Sequence, residues 1–161
     1  MRGTRIEASG ALVAGVLVLA LGLAGLILGS VPQSSGDQGP QGVSVVSAWI
    51  AAPVPPTELA AGYFTVYNNT DSDVQLLKVT TSAGASNVLH TVVGGVMTAQ
   101  EGGVLIRARS SLVLSVGEGH VMIDQLFGKL KAGDLISMEL TFADLAPIDV
   151  TAKVYAPGTH P

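Results

Sequence analysis

The sequence predicts an all-β domain, a β-sandwich or small barrel, behind an apolar N-terminal segment. Between residues 43 and 161, hydrophobic and polar residues alternate with a period of two in several short stretches, and turn-forming clusters separate these stretches. No part of this region has a sustained helical period. Because successive side chains of a strand face opposite sides of its sheet, the pattern is typical of strands with one buried face. About 119 residues can bury a single core of this kind without disulfides.

Four stretches alternate most clearly: 63–67, 112–116, 136–142 and 148–154. In the third, the apolar positions include Met138, which we therefore expect to be a core residue. Clusters rich in Gly, Asn, Asp and Ser mark the turns between strands, at 68–73, 94–95, 102–103, 117–119 and 131–134.

The composition excludes several classes of function. The chain is 12% charged with a net charge of −4, which argues against nucleic acid as a partner because phosphate binding needs clustered Lys and Arg. The absence of cysteine excludes a disulfide framework, a zinc–thiolate site, a thiol nucleophile and a blue-copper centre. The sequence has no G-x-S-x-G, HExxH or P-loop motif, so we predict that the protein is not an enzyme.

Residues 11–29 are predicted to form a transmembrane anchor. The run from Ala11 to Leu28 contains only Ala, Leu, Val, Ile and Gly, and as a helix it would be about 27 Å long, close to the thickness of a bilayer. Arg2 and Arg5 place residues 1–10 in the cytoplasm, so the rest would be extracytoplasmic on a single-pass membrane protein. The alternative is a cleaved signal that leaves a secreted or periplasmic protein. Without cysteine, the segment cannot be a lipoprotein signal.

Residues 30–42 are rich in Gly, Ser and Pro and are predicted to be a flexible linker that spans about 20 Å. The folded domain then covers 43–156, and residues 157–161 form a C-terminal tail.

The motif His120-Val121-Met122 is the strongest functional signal. In a strand, His120 and Met122 share one face, while Val121 and Ile123 face the core. A methionine on the less buried face is unusual, because methionine ordinarily fills cores. An imidazole beside a thioether is a soft ligand pair that selects Cu(I) over Mg, Ca, Mn or Zn.

A Cu(I) site commonly has three or four ligands, and His90 and Met97 are the candidates to complete this one. Both precede His120 in a section that could fold back beside the His120 strand. The predicted metal ligands are therefore His90, Met97, His120 and Met122.

At these residues the chain resembles the periplasmic copper chaperones called PCu(A)C, whose members typically carry His, a Met about ten residues on, and a closing His-x-Met motif. The resemblance extends over most of residues 47–155. It is carried by Ala48-Trp49 and the following prolines, by the strand 61–68, and by Leu89-His90, Gly95-Val96-Met97, His120-Val121-Met122, the turn 131–134 and the strand 138–142.

This resemblance implies a cupredoxin-like Greek-key sandwich that carries Cu(I) to an acceptor cuproprotein, the copper centre of cytochrome c oxidase. The chain departs from the pattern at two points. Only six residues separate His90 from Met97, and Ala99 stands where the family often has its ligand methionine. The alternative function is a membrane-tethered β-sandwich that binds another protein and has lost its metal site.

Overall fold

The computed structural model describes residues 42–161, which form ten β-strands and no helix. The strands are β1 (Val43–Ala51), β2 (Ala60–Asn68), β3 (Val74–Thr81), β4 (Gly84–Val93), β5 (Val96–Ala99), β6 (Val104–Ile106), β7 (Ser110–Leu114), β8 (Gly119–Leu126), β9 (Leu135–Phe142) and β10 (Ile148–Tyr155). The all-β prediction is therefore confirmed for this part of the chain.

The predicted cytoplasmic segment 1–10, the anchor 11–29 and all of the linker except Gly42 lie outside the described residues. Within 42–161, the structure contains no helix long and apolar enough to cross a membrane.

Seven strands close into a barrel-like sandwich. They are hydrogen-bonded in the order β4-β8-β2-β1-β10-β9-β3, and a pairing of Thr81 with Gly84 returns β3 to β4. Strands β1 and β10 are parallel, whereas the other pairs are antiparallel. β5 extends the sheet beyond β4, β6 extends it beyond β3, and β7 pairs with the second half of β2.

The core lies inside this ring and is built by the alternation seen in the sequence. Met138 is fully buried, as predicted, together with its neighbours two and four residues along β9, Leu140 and Phe142. Their partners on the same side of the ring are mainly branched aliphatic residues, whose shape suits a pleated sheet. The largest are Ile50, Phe64, Val66, Leu76, Val79, Val121, Ile123 and Val154.

Asn68 is a buried polar residue that ties the end of β2 to two other segments. Its Nδ2 donates to the carbonyl oxygens of Ser72, Ile106 and Arg107 at 2.8, 3.1 and 3.0 Å, and its Oδ1 accepts from the backbone N–H and hydroxyl of Thr70. Buried polar groups need such partners, because each unpaired group costs free energy. The sequence Asn68-Asn69-Thr70 resembles a glycosylation sequon, but the amide nitrogen that would carry a glycan is fully buried.

Candidate metal centre

His90 and His120 face each other on adjacent strands. β4 and β8 are antiparallel, and their register places His90 directly opposite His120. Directly opposed residues project from the same side of a sheet, and the two imidazole rings lie 5.3 Å apart between centroids with an interplanar angle of 29°. The sequence predicted that the section containing His90 folds back beside the His120 strand, and the pairing of β4 with β8 confirms this for His90.

Gly119 allows the two strands to approach closely at this point. A Cβ atom on Gly119 would lie 2.8 Å from the backbone oxygen of His90, closer than real Cβ contacts. Any other residue at this position would push the start of β8 away from His90. Glycine immediately before His120 thus helps to hold the two rings together.

The Nδ1 atom of His90 is buried and makes no hydrogen bond. A buried polar atom without a partner costs about 1–3 kcal/mol, and a metal ion bound at this nitrogen would remove that cost. The unpartnered atom is therefore an observation that fits a ligand-binding role.

The environment of His120 favours the neutral form of its imidazole. Burial, and after it the neighbouring charge of His90, lowers the pKa of His120 below its ordinary value of 6.5. Both causes disfavour the imidazolium form. Because a histidine must be deprotonated to bind a metal, this environment favours the ligating form of the ring.

Met122 lies on the same face as the two histidines. It is two residues from His120 on β8 and directly opposite Val88 of β4 and Ala61 of β2. Val121 and Ile123, on the other face, are completely buried. The orientation predicted for the His120-Val121-Met122 motif is therefore confirmed, and Met122 is only partly buried.

Met97 lies on β5, which follows a two-residue turn at Gly94 and Gly95. Both glycines have positive φ, 59° and 83°, as such a hairpin turn requires. Met97 pairs with Val92, so it shares the face of His90 and lies diagonal to it, within the reach of a long side chain. Its side chain is 41% exposed.

Ala99 occupies the position directly opposite His90 on β5. The methyl side chain of Ala99 has no atom that can coordinate a metal, so the chain itself supplies no metal ligand at the position across from His90. The four candidate donors, His90, Met97, His120 and Met122, nevertheless share one outer face of the sheet.

Two aromatic residues that sequence reasoning did not assign to the site lie beside it. The Tyr63 ring is 6.4 Å from that of His120, and Trp49 stacks on Tyr63 at 4.3 Å. Tyr63 is on the predicted polar face of β2, yet it is only 8% exposed, and this burial raises its pKa. A bulge in β1 at Ser47, whose φ is 55°, precedes Trp49 and locally shifts the pairing of β1 with β2.

The donor chemistry of the face is imidazole and thioether. Among residues 42–161, no three or more His, Cys, Asp or Glu side chains are grouped so that they could hold a metal ion. The thioether sulfurs of Met97 and Met122 are the remaining candidate donors on this face besides the two rings.

Comparison with known protein families shows to which family the β-domain belongs. Residues 43–154 match the model of the LpqE-like family, described as "Putative lipoprotein LpqE-like". The chain belongs to the LpqE-like family. A relative of this LpqE-like chain, "Putative lipoprotein Lxx21020" of Leifsonia xyli subsp. xyli, is 34% identical over 149 residues, which cover 88% of each chain.

Solved structures show that the LpqE-like chain has the fold of PCuAC domains. The copper-bound PCuAC domain from PmoF2 is similar with a TM-score of 0.62 and 21% identity, over 71% of this chain and 93% of that domain. The solution structure of the Cu(I) form of DR1885 from Deinococcus radiodurans is similar with a TM-score of 0.64 and 27% identity, over 80% and 87% of the two chains. The resemblance to the PCu(A)C family noted in the sequence is thus supported by distant structural relatives.

Proposed function

We propose that this LpqE-like chain is an extracytoplasmic copper chaperone. It binds Cu(I) through His90, Met97, His120 and Met122 and delivers the ion to a membrane-bound cuproenzyme such as cytochrome c oxidase. The chain acts as a carrier and not as an enzyme, and copper is its cargo.

The observation that carries the proposal is the facing pair His90 and His120 with Met122 beside it. Two nitrogens and a thioether sulfur form the soft donor set that favours Cu(I). The unpartnered Nδ1 of His90 favours metal binding over a purely structural role. The lowered pKa of His120 favours the neutral ring that a metal ligand requires. The related DR1885 was solved in its Cu(I) form, which supports the same cargo here.

The position of the donors suits delivery better than storage. They lie on the outer face of the sheet, and Met97 is the most exposed of the four. The donors carry no net charge in their ligating forms, so Cu(I) is held without a thiolate cage. An acceptor can therefore approach the ion from solvent and replace one ligand at a time.

The proposed location is the outer side of the cytoplasmic membrane. The names of the family and of the relative from Leifsonia xyli are those of lipoproteins, which supports an extracytoplasmic or membrane-anchored protein. The sequence has no cysteine for a lipid to modify. We therefore assign anchoring to residues 11–29, with cleavage of that segment as the alternative. A tether would raise the effective concentration near a membrane-bound acceptor.

The test is a titration of the full chain with Cu(I) under reducing conditions, in competition with a chromogenic Cu(I) chelator. The expected result is retention of one Cu(I) per chain, with a large loss of affinity in the double variant His120→Ala/Met122→Ala. Met138→Leu is the matched control, because Met138 is buried in the core and should leave the affinity unchanged. Equal affinities in all three proteins would exclude the proposed site.

A second function is favoured by one observation, the methyl group of Ala99 opposite His90. A chain that has lost its metal site would be a tethered protein-interaction module. This alternative predicts partner binding that is indifferent to copper chelators, and the same titration would then show no retained Cu(I).

A further inference from the structure

β5 is an edge strand beside the candidate metal centre, and its outer edge is free for hydrogen bonding. The N–H of Gln100 donates to the C=O of Leu89 at 2.8 Å, and this bond shows which residue pairs of the β4–β5 ladder are hydrogen-bonded. Along an antiparallel strand, the backbone N–H and C=O groups of successive residues point alternately toward and away from the neighbouring strand. The N–H and C=O groups of Met97 and Ala99 therefore point away from β4. No other strand of the described chain pairs with β5 on that side.

Apart from its shortness, this edge lacks the features that normally protect a strand from pairing with another chain. Longer exposed edges are usually blocked by charged residues, proline or a bulge. Residues 79–100 contain no Asp, Glu, Lys, Arg or Pro, and the β4–β5 ladder has an unbroken register. All four residues of β5 are exposed, and Val93 and Val96 at the hairpin end are 57% and 64% exposed.

The length of the edge indicates a transient partner. A four-residue strand contributes few hydrogen bonds and little area, far below the roughly 1,200 Å² or more that stable interfaces bury. A second copy held only by this edge would therefore associate weakly. A copper acceptor, in contrast, needs to dock briefly and leave.

We propose that β5 is the docking strand for the copper acceptor, which adds an uncharged extended segment to this edge by β-augmentation. The inference rests on the proposed function, because it assigns the route by which Cu(I) leaves. The occupant is defined by its chemistry: a strand without charged side chains that carries a His or Met ligand on the face that it shares with His90.

The pairing of β4 with β5 would place such a ligand in the same row of residues across the sheet as His90 and His120. Ala99 is directly opposite His90, so an acceptor residue paired with Ala99 would continue the same row across the sheet. Strands are about 4.8 Å apart, so this residue would lie about 10 Å from His90 between Cα atoms. The small side chain of Ala99 leaves the space between them open. Cu(I) would then pass by ligand exchange, with one bond to the chaperone broken as one to the acceptor forms and no change of oxidation state.

The test uses a synthetic strand as the probe. An acetylated and amidated peptide of about eight residues, alternating Thr and Val with one Met and one His on the same face, is mixed with the Cu(I)-loaded full chain in detergent micelles. The control peptide has the same side chains but N-methyl groups on alternate amides, so that it keeps its ligands and cannot pair. Transfer is followed by stopped-flow after the two peptides have been shown to bind Cu(I) equally.

The expected result is transfer about tenfold faster to the unmodified peptide, the effect of one or two net hydrogen bonds. Ala99→Pro removes the outward-pointing N–H of residue 99 and should make the transfer rates to the two peptides equal. Ala99→Gly keeps this N–H and should preserve the difference between the two rates. Equal rates for the two peptides would overturn the docking strand while leaving copper binding intact. A failure to load Cu(I) would instead reject the proposed function. A copper-dependent dimer that Ala99→Pro dissolves would assign the edge to a second copy and also overturn the inference.

Discussion

His90 and His120 oppose each other across the β4–β8 ladder, with ring centroids 5.3 Å apart. The backbone fixes this relationship: the N–H of Val92 donates to the C=O of Glu118 at 3.1 Å, two residue pairs further along the same ladder, with Thr91 and Gly119 between them. By alternation, His90 and His120 form the next hydrogen-bonded pair. The two imidazoles are therefore held together before any ligand arrives, which lowers the ordering cost of binding one.

Replacing one ring of the pair should weaken copper binding strongly. We expect His90→Ala to lower the Cu(I) affinity by more than about 100-fold, since loss of even an outer-shell partner costs about 10–100-fold. The histidine control is His160→Ala in the exposed C-terminal tail, where the ring lies 6.1 Å from that of Trp49; its effect should be much smaller. Chelator competition measures both, and similar losses in the two variants would argue against the histidine pair as ligands.

The stability of the metal-free protein should depend on pH through His120. Its folded-state pKa lies below the ordinary 6.5, chiefly because of burial and secondly because of His90. Between these two values the unfolded chain binds more protons, so stability falls as pH drops below about 6.5 and is level above it. Urea unfolding from about pH 5 to about pH 7.5 should show this slope. The slope should be reduced in His120→Gln and retained in Ser111→Ala, which removes no titratable group; an unchanged slope in His120→Gln would contradict the assignment.

A thioether opposite His90 should strengthen the site. Ala99→Met would place a sulfur on the same face as the ring, directly across the β4–β5 ladder. We expect the Cu(I) affinity to rise about tenfold, because soft thioether donors favour Cu(I). Thr98→Met is the control, since residue 98 faces the other side of the strand. A gain in the control equal to that in Ala99→Met would show that the face is not the binding surface.

The alternation of apolar residues predicts a large part of this fold. It predicts the outward orientation of His120 and Met122 and the burial of Met138, because both follow from local strand geometry. The Gly94-Gly95 turn is likewise readable from the sequence, and its positive φ angles bear this out. Local patterns are sufficient wherever one strand and its own turn determine the outcome.

The surroundings of the site could not be predicted in the same way. Tyr63 reaches His120 only because β2 pairs with β8, and Trp49 covers Tyr63 beyond a bulge in β1. Pairings between strands about 60 residues apart leave no periodic signal in the sequence. The position of Ala99 opposite His90, in contrast, is a local feature, because the two-residue turn at Gly94-Gly95 sets the register of the β4–β5 hairpin.

Asn68 should be important for stability, although none of its hydrogen bonds involves a candidate metal ligand. Asn68→Ala would leave three carbonyl oxygens without their amide donor, so we expect the free energy of unfolding to fall by about 3 kcal/mol. Ser111→Ala, at an exposed position of β7, should change it by less than about 0.5 kcal/mol. Urea unfolding of the metal-free variants measures both values, and a change below about 1 kcal/mol for Asn68→Ala would contradict this account.

The most direct test of the metal centre is X-ray absorption at the copper edge on the full chain loaded with one Cu(I). We expect a shell of two nitrogen scatterers at about 2.0 Å and one or two sulfur scatterers at about 2.3 Å. The sulfur contribution should decrease in Met122→Leu, and the nitrogen contribution in His90→Ala. A spectrum with only oxygen or nitrogen scatterers, unchanged in both variants, would contradict a copper site made by the facing histidines and their neighbouring thioethers.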